Sequence, residues 1–209
     1  MNKKLFLLDA YALIYRAHFA FIKNPRINSK GLNTSAILGF CNSLLEVINN
    51  HNPSHIAVVF DPPGGSDREG VFEDYKANRQ EMPEDIRKAI PYIFDLLKAM
   101  NIRVEMEQGY EADDLIGTLA KQAEKKGFKT FMMTPDKDFA QLVTENIFIY
   151  KPGRGGSPSE ILGVKEVCAK FEIEQPKQVI DILGLWGDAV DNIPGVPGIG
   201  EKTAKKLIG

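Results

Sequence analysis

The sequence is poor in the residues that carry most single-side-chain chemistry. Its 209 residues include two cysteines, Cys41 and Cys168, far apart and without His or Cys neighbours at metal-ligating spacing. We read both thiols as reduced and structural, which fits a cytoplasmic protein. The three histidines, His18, His51 and His55, are scattered, and none pairs with a Ser or Cys nucleophile. Without a clear His general base, water activation would fall to metal ions. No apolar run approaches the ~20 residues that a membrane-spanning helix needs, which excludes a membrane protein of that kind. The start, Met1-Asn2-Lys3-Lys4-Leu5, leads straight into a strand pattern and lacks the apolar segment and cleavage site of a signal peptide. Charge of one sign is scarce too. A net charge of −2 does not by itself announce nucleic acid.

What is present is ordinary in bulk and unusual in placement. Hydrophobic residues at 44% and charged residues at 26% are normal for a globular chain of this length. That length suits one large domain, or one domain with a small appendage. The bases are uneven: Lys3, Lys4, Arg16, Lys23, Arg26 and Lys30 stand against Asp9 alone in residues 1–30. Lys202, Lys205 and Lys206 stand against Glu201 at the other end. Basic surfaces can therefore flank an acidic centre.

Strand and helix patterns alternate over most of the chain. Strands are expected at Lys4–Asp9, His55–Phe60, Ile102–Glu105, Lys129–Thr134 and Ile147–Tyr150. Helices are expected at Tyr11–Phe21, from a Thr34 or Ser35 cap through Ile48, from Pro83 to Met100, and at Glu111–Lys126. The stretch Lys151–Pro158 reads as a linker, and the remainder of the chain reads as all-helical: Val164–Phe171, Pro176–Leu185 and Glu201–Ile208. These patterns predict an α/β core over residues 1–158 and a helical region over 159–209.

The acids fall where such a core presents ligands. Asp9 and Asp61 directly follow apolar strands, Leu5-Phe6-Leu7-Leu8 and Ile56-Ala57-Val58-Val59-Phe60. Glu111, Asp113 and Asp114 open a helix, Asp136 and Asp138 follow a strand, and Asp188 and Asp191 lie at i,i+3. Singly, each can be a cap, a turn former or a complement to a helix dipole. Together they repel: each pair at 4 Å costs about 4 kcal/mol at an effective dielectric near 20. Divalent cations readily neutralise such a cluster, so the pattern reads as a metal site. Glu111 and Asp114 share a helix face, and Asp113 points elsewhere, which suits a second ion.

Gly187–Ala204 has the form of a helix–hairpin–helix, with Val196 and Ile199 set among Gly195, Gly198 and Gly200 before Lys202 and Thr203. Backbone N–H groups there can hold a phosphate without reading bases. It is not a nucleotide-binding phosphate loop, because Glu201 separates Gly200 from Lys202-Thr203 and no strand precedes it. Lys76 and Arg79, at i,i+3, could line one helix face and meet a phosphodiester, with Tyr75 stacking on a base. A solvated mixed-charge helix explains that segment equally well from composition. Arg68 and Arg16 are similar.

With Tyr75-Lys76-Ala77-Asn78-Arg79, Glu111-Ala112-Asp113-Asp114, Asp136-Lys137-Asp138 and Gly187–Ala204 taken together, the chain resembles, over its whole length, the 5′-nuclease domain of bacterial DNA polymerase I, within the flap-endonuclease family. The resemblance implies a PIN-like 5′-nuclease fold: a central, mostly parallel sheet flanked by helices, a helical arch over about 62–100, and a helix–hairpin–helix appendage. It implies structure-specific cleavage of 5′ flaps, nicks, 5′ ends and RNA-primer junctions in DNA replication and repair, with DNA as partner and no membrane. It implies two or more Mg2+ or Mn2+ ions: Asp9, Asp61, Glu111 and Asp113 around one, Asp113, Asp136, Asp138 and Asp188 around another, and Asp114 and Asp191 completing the set. Lys76 and Arg79 would polarise the scissile phosphate. Arg16, Arg68, Tyr75, Gly195, Gly198, Gly200, Lys202 and Thr203 would bind DNA, with K+ on the carbonyls of Val196 and Ile199. A cytoplasmic, nucleoid-associated location and an attached polymerase domain go with it.

Two departures stand out. The family pattern Phe-Arg-His-Glu is here Asp67-Arg68-Glu69-Gly70, which keeps only the arginine. The family's domain also continues beyond the equivalent of Gly209, so this chain is expected to be a fragment, with apolar surface left uncovered. The rival from outside the enzymes is a metal-independent module that binds DNA structure through the hairpin alone. A PIN-type RNA-processing nuclease would carry fewer acids and no hairpin. A phosphoacceptor receiver domain would not need the Asp136/Asp138 and Asp188/Asp191 pairs.

Overall fold

The computed structural model describes residues 3–153 and 157–209, so the linker expected at Lys151–Pro158 lies partly outside the described residues. In chain order the elements are β1 (Lys4–Asp9), α1 (Ala10–Ala20), α2 (Ser35–His51), β2 (His55–Val59), the single turn α3 (Arg68–Val71), α4 (Glu84–Ala99), β3 (Arg103–Glu105), α5 (Ala112–Lys125) and β4 (Lys129–Met133). A 3-10 turn at Asp138–Leu142 leads to β5 (Ile147–Lys151) and β6 (Glu160–Leu162). Helix α6 (Val164–Phe171), a 3-10 turn at Pro176–Gln178, α7 (Val179–Trp186) and α8 (Glu201–Ile208) complete the chain.

Six strands form one sheet in the order β3-β2-β1-β4-β5-β6. All neighbours are parallel except β5 and β6. A parallel sheet covered on both faces needs apolar residues at consecutive positions, and β1 supplies them. Phe6 and Leu8 pack into the core formed with α1, α2 and α4, while Leu7 enters the core formed with α5, α6 and α7. Phe6 stacks on Phe131 with ring centroids 4.8 Å apart, and Tyr150 meets its edge at 5.5 Å. Aromatic pairs of this kind add about 0.5–1.5 kcal/mol to the burial of their area.

The topology fixes where a ligand belongs. From β1 the chain winds to β2 on one side and later to β4 on the other. The crevice beyond the carboxyl ends of such strands, where the winding reverses, is the usual ligand position of an open α/β sheet.

Three expectations need correction. Neither hydroxyl caps α2. Thr34 Oγ1 donates to the Arg26 carbonyl and Ser35 Oγ accepts from the Arg26 N–H, each at 2.8 Å, so both tie down the preceding loop instead. The region after residue 158 is not purely helical, because β6 adds an antiparallel edge to the sheet. Its three residues are too few to show a period. Finally, residues 62–83 hold no long arch helix. They contain α3 and a run of turns over 73–78, and the long helix of the expected arch is α4 alone. Lys76 has φ +57 and so cannot share a helix face with Arg79.

Candidate metal and nucleic-acid site

Strand ends bring the inner acids together. Asp9 closes β1 and caps α1: its Oδ1 accepts the Ala12 N–H at 3.1 Å and its Oδ2 accepts the Thr134 hydroxyl at 3.0 Å. Asp61 follows β2 and accepts the Ala112 N–H at 2.7 Å, anchoring the start of α5. Asp136 follows β4 and accepts the Asp138 N–H at 2.9 Å. The capping role and the cluster role therefore coincide in the same carboxylates.

These groups feel one another. Burial first, and then the charges of Asp9, Asp136 and Asp61, push the Asp113 carboxyl up to about 8. Asp9, 7% exposed, is raised by burial to about 6 despite its hydrogen bonds, with Asp61 and Asp136 adding to the rise. Burial and Asp136 raise Asp138 to about 6. Asp9, Asp61, Asp113 and Asp136 thus share one electrostatic neighbourhood, and Asp138 adjoins it.

The outer acids are held by cations of the same chain. Glu111 accepts from Ser66 Oγ at 2.9 Å, the Tyr75 hydroxyl at 3.1 Å and Lys76 Nζ at 2.8 Å, and pairs with Arg68 at 2.9 Å. Burial works against its ionised form, but Lys76, Ser66 and Arg68 bring its pKa below the usual range. Asp114 accepts the Glu111 N–H at 3.1 Å and pairs with Arg68 at 2.6 Å. Asp191 pairs with Arg79 at 2.5 Å and accepts the Tyr75 hydroxyl at 3.3 Å. Asp188 binds Lys137 at 2.7 Å, which outweighs its burial and keeps its pKa low.

Residues 66–79 therefore form a strap over the acids. Further bonds run from the Lys76 N–H to the Asp191 carbonyl (3.0 Å), from Asn78 to the Ala189 carbonyl (2.8 Å) and from Asn192 to the Asp74 carbonyl (2.8 Å). Beside it opens a cleft of about 710 Å3 lined by Arg68, Tyr75, Glu111, Asp113, Asp138 and Asp191, among others.

The hairpin is built on backbone contact. A Cβ on Gly187, whose φ is +79, would lie 2.3 Å from the Gly195 nitrogen, and one on Gly195 would lie 2.2 Å from the Trp186 carbonyl oxygen. Only glycines permit that approach. The Val196 N–H then reaches the Leu185 carbonyl at 2.9 Å and the Ile199 N–H the Val196 carbonyl at 3.0 Å. Gly198 takes φ +82, Gly200 precedes α8, and Lys202 and Thr203 are exposed on its first turn. Arg16, by contrast, donates to the carbonyls of Pro152 and Gly153, joining α1 to the end of β5.

Sequence reasoning missed Thr134, which orients Asp9, and Lys137, which bridges to Asp188. Position alone could have flagged both, since each adjoins an acid of the cluster. Asn78 and Asn192 lie inside the motifs that carry the resemblance, but nothing in the sequence indicated that they tie the strap to the loop after α7.

The donor set fits a hard divalent cation, which prefers carboxylate oxygens. A buried Oδ1 of Asp138 has no hydrogen-bond partner, and burial with neighbouring acids disfavours the ionised forms of Asp9 and Asp113, which a cation would favour. Among the described residues no three His, Cys, Asp or Glu side chains stand ready-arranged around a metal position. The acids are gathered, and the side chains of Asp9, Asp61, Glu111, Asp114, Asp188 and Asp191 are engaged by the partners named above.

The acid-lined crevice, the strap and the hairpin on this sheet define a class. The chain belongs to the 5′-3′ exonuclease family. Residues 4–172 match its N-terminal resolvase-like domain, and residues 174–209 match its C-terminal SAM-fold domain. It is 44% identical over 209 residues to DNA polymerase I of Bacillus subtilis (strain 168), covering 99% of this chain and 23% of that protein. It is 40% identical over 206 residues to the 5′-3′ exonuclease of Aquifex aeolicus (strain VF5), covering 99% of this chain and 69% of that one. The chain thus spans about a quarter of the polymerase relative and over two thirds of the exonuclease. In fold it resembles the bacteriophage T5 5′-exonuclease solved with zinc ions (TM-score 0.80, 19% identity), covering 98% of this chain and 74% of that one. The T5 flap endonuclease in a pseudo-enzyme-product complex with DNA and metal ions gives TM-score 0.78 at 18% identity, with the same coverage.

Proposed function

We propose that the chain is a divalent-metal-dependent, structure-specific 5′-3′ exonuclease and flap endonuclease. The observation that carries the reading is the gathering of Asp9, Asp61 and Asp136 at adjoining strand ends beside the half-buried Asp113, whose carboxyl is raised by burial and those charges to about 8. A nuclease-family chain that gathers acids this way is organised to hold cations. The T5 relatives were solved with zinc and with DNA and metal ions, which supports both halves of the reading.

Asp9, Asp61, Glu111 and Asp113 would hold one Mg2+ or Mn2+, and Asp113, Asp136, Asp138 and Asp188 a second, with Asp114 and Asp191 at the rim. When bound, such ions would activate the attacking water and neutralise charge on the reacting phosphodiester. The protein's part is positioning and electrostatics. Lys76 and Arg79 offer positive charge to the phosphate once released from Glu111 and Asp191. Tyr75 offers a ring for a base, and Arg68 replaces Glu111 and Asp114 with phosphate oxygens. The N–H groups around Gly195–Thr203 would grip the downstream duplex, with a monovalent cation such as K+ on the Val196 and Ile199 carbonyls. The substrates would be 5′ flaps, nicks, 5′ ends and primer junctions. A polymerase domain beyond this chain and a cytoplasmic, nucleoid-associated setting belong to the same reading. Among the described residues no helix is long and apolar enough to cross a membrane.

The test is incubation with end-labelled flap, nicked and single-stranded DNA, with Mn2+ or with chelator. Flap cleavage with Mn2+, absent with chelator and with Asp138→Ala, is expected. Binding without product under every condition would leave the hairpin as a metal-independent DNA-structure module.

A further inference from the structure

Lys137 stands between two acids in sequence and between two acids in space. Its Nζ lies 2.7 Å from Asp188 Oδ2 and 3.8 Å from Asp138 Oδ1. These carboxylates come from distant segments: the turn after β4 and the loop after α7. The ammonium also sits 5.4 Å from the ring centroid of Trp186, the sole tryptophan. Asp188 otherwise spends Oδ1 on the Val190 N–H at 2.9 Å. Asp138 Oδ1 is buried and accepts no hydrogen bond, because the ammonium that reaches Asp188 stops short of it. One lysine thus faces two of the four carboxylates that the proposed function assigns to the second ion.

An ammonium and a divalent cation about 4 Å apart repel too strongly to share those oxygens. We propose that Lys137 is an internal counter-cation of the second metal locus: its ammonium and a divalent ion are alternative occupants of the Asp138–Asp188 carboxylate pair, and ion binding drives Lys137 off Asp188. This rests on the metal-dependent reading above and deepens it. Lys137 stabilises the ion-free fold by joining the two segments, and in doing so it lowers the affinity for the second ion. Once displaced, it adds a positive charge at the cleft and leaves the face of Trp186. It is a positioning residue for the metal, not a catalytic one.

The experiment is Mn2+ binding to the full chain, monitored by the paramagnetic signal of the free ion, with Trp186 emission read separately in Mg2+. The variants are Lys137→Met, Lys137→Arg and Lys121→Met. Lys121 is the charge control, since it lines the same cleft but approaches Glu124 and donates to the Leu142 carbonyl rather than pairing with Asp138 or Asp188. Removal of one charged hydrogen bond should tighten the weaker Mn2+ site about tenfold in Lys137→Met. Lys137→Arg and Lys121→Met should stay near the natural chain. Ion-free Lys137→Met should emit as the Mg2+-loaded natural chain does, since the ammonium has left Trp186 in both. Unchanged or weaker Mn2+ binding in Lys137→Met, or an equal gain in Lys121→Met, overturns the inference and leaves the metal reading standing. Absence of Mn2+ binding in every form overturns both.

Discussion

Replacing Asp113 with Asn should stabilise the ion-free protein, although it removes a proposed metal ligand. Asp113 is half-buried, and burial and then the charges of Asp9, Asp136 and Asp61 move its carboxyl from 3.8 to about 8. An acid raised in the folded state binds more protons folded than unfolded. Its contribution is favourable at low pH and is lost as pH climbs from about 4 to about 8. At pH 7 about three units of that window have been crossed, and at 1.36 kcal/mol per unit the penalty is on the order of 4 kcal/mol. Asn keeps the volume and cannot ionise, so most of that penalty should vanish. For a chain of this size the melting temperature should rise on the order of 10 °C at pH 7. The assay is thermal unfolding of both forms in chelator, from about pH 4.5 to about pH 8. The gap should narrow toward the acid end, where Asp113 is protonated in the natural chain too. Saturating Mg2+ should invert the order, because only the natural chain gains the full binding energy. A variant no more stable at pH 7, or a gap independent of pH, would refute the argument that burial and like charge penalise the ionised Asp113 carboxyl.

Two further outcomes rest on particular contacts. Asp61→Ala leaves the Ala112 N–H without its 2.7 Å acceptor at the start of α5, so it should lower stability by about 1–2 kcal/mol, read from the denaturant midpoint in chelator, and weaken Mn2+ binding as well. Gly187→Ala places a methyl group 2.3 Å from the Gly195 nitrogen at φ +79, so it should part α7 from the hairpin and abolish retention of duplex DNA while far-UV circular dichroism changes little.

The sheet was legible because its residues obey a period. Leu5–Leu8 and Ile56–Phe60 are apolar without interruption, as strands covered on both faces must be, and the acids after them could be placed at strand ends at once. The helices α4 and α5 were legible from their apolar faces and acidic first turns. The strap was not. Residues 66–79 have no apolar period, and their conformation is set by bonds to Glu111, Ala189 and Asp191, over 30 to more than 100 residues away. Sequence spacing placed Lys76 and Arg79 on a helix, whereas tertiary bonds hold Lys76 at positive φ. The inner acids were legible as a group, but not their second duties. That Asp9 would hold both Ala12 and Thr134, and Asp61 the head of α5, depends on which strands are neighbours, and no local pattern records that.

The acids divide into two sets with different counter-charges, and the division says how the strap must open. Asp9, Asp61, Asp113 and Asp136 crowd one another, while Glu111, Asp114, Asp188 and Asp191 are matched to Arg68, Lys76, Arg79 and Lys137. The matches are unequal. Arg68 and Arg79 keep 44% and 51% of their side chains exposed, and ion pairs in that setting contribute about 1 kcal/mol or less. Lys76 and Glu111 are only 19% and 9% exposed, so parting them would leave a nearly buried carboxylate with Ser66, Tyr75 and the more exposed Arg68 as partners. The strap should therefore yield first at its two arginines and last at Lys76. An incoming phosphate can draw off Arg68 and Arg79 at small cost, but Lys76 leaves Glu111 only when another cation takes its place. A site so arranged resists baring its lysine to nucleic acid before a metal ion has arrived. On the metal-dependent reading, a cation at Glu111 would therefore precede the release of Lys76 to phosphate, while the two arginines could move earlier.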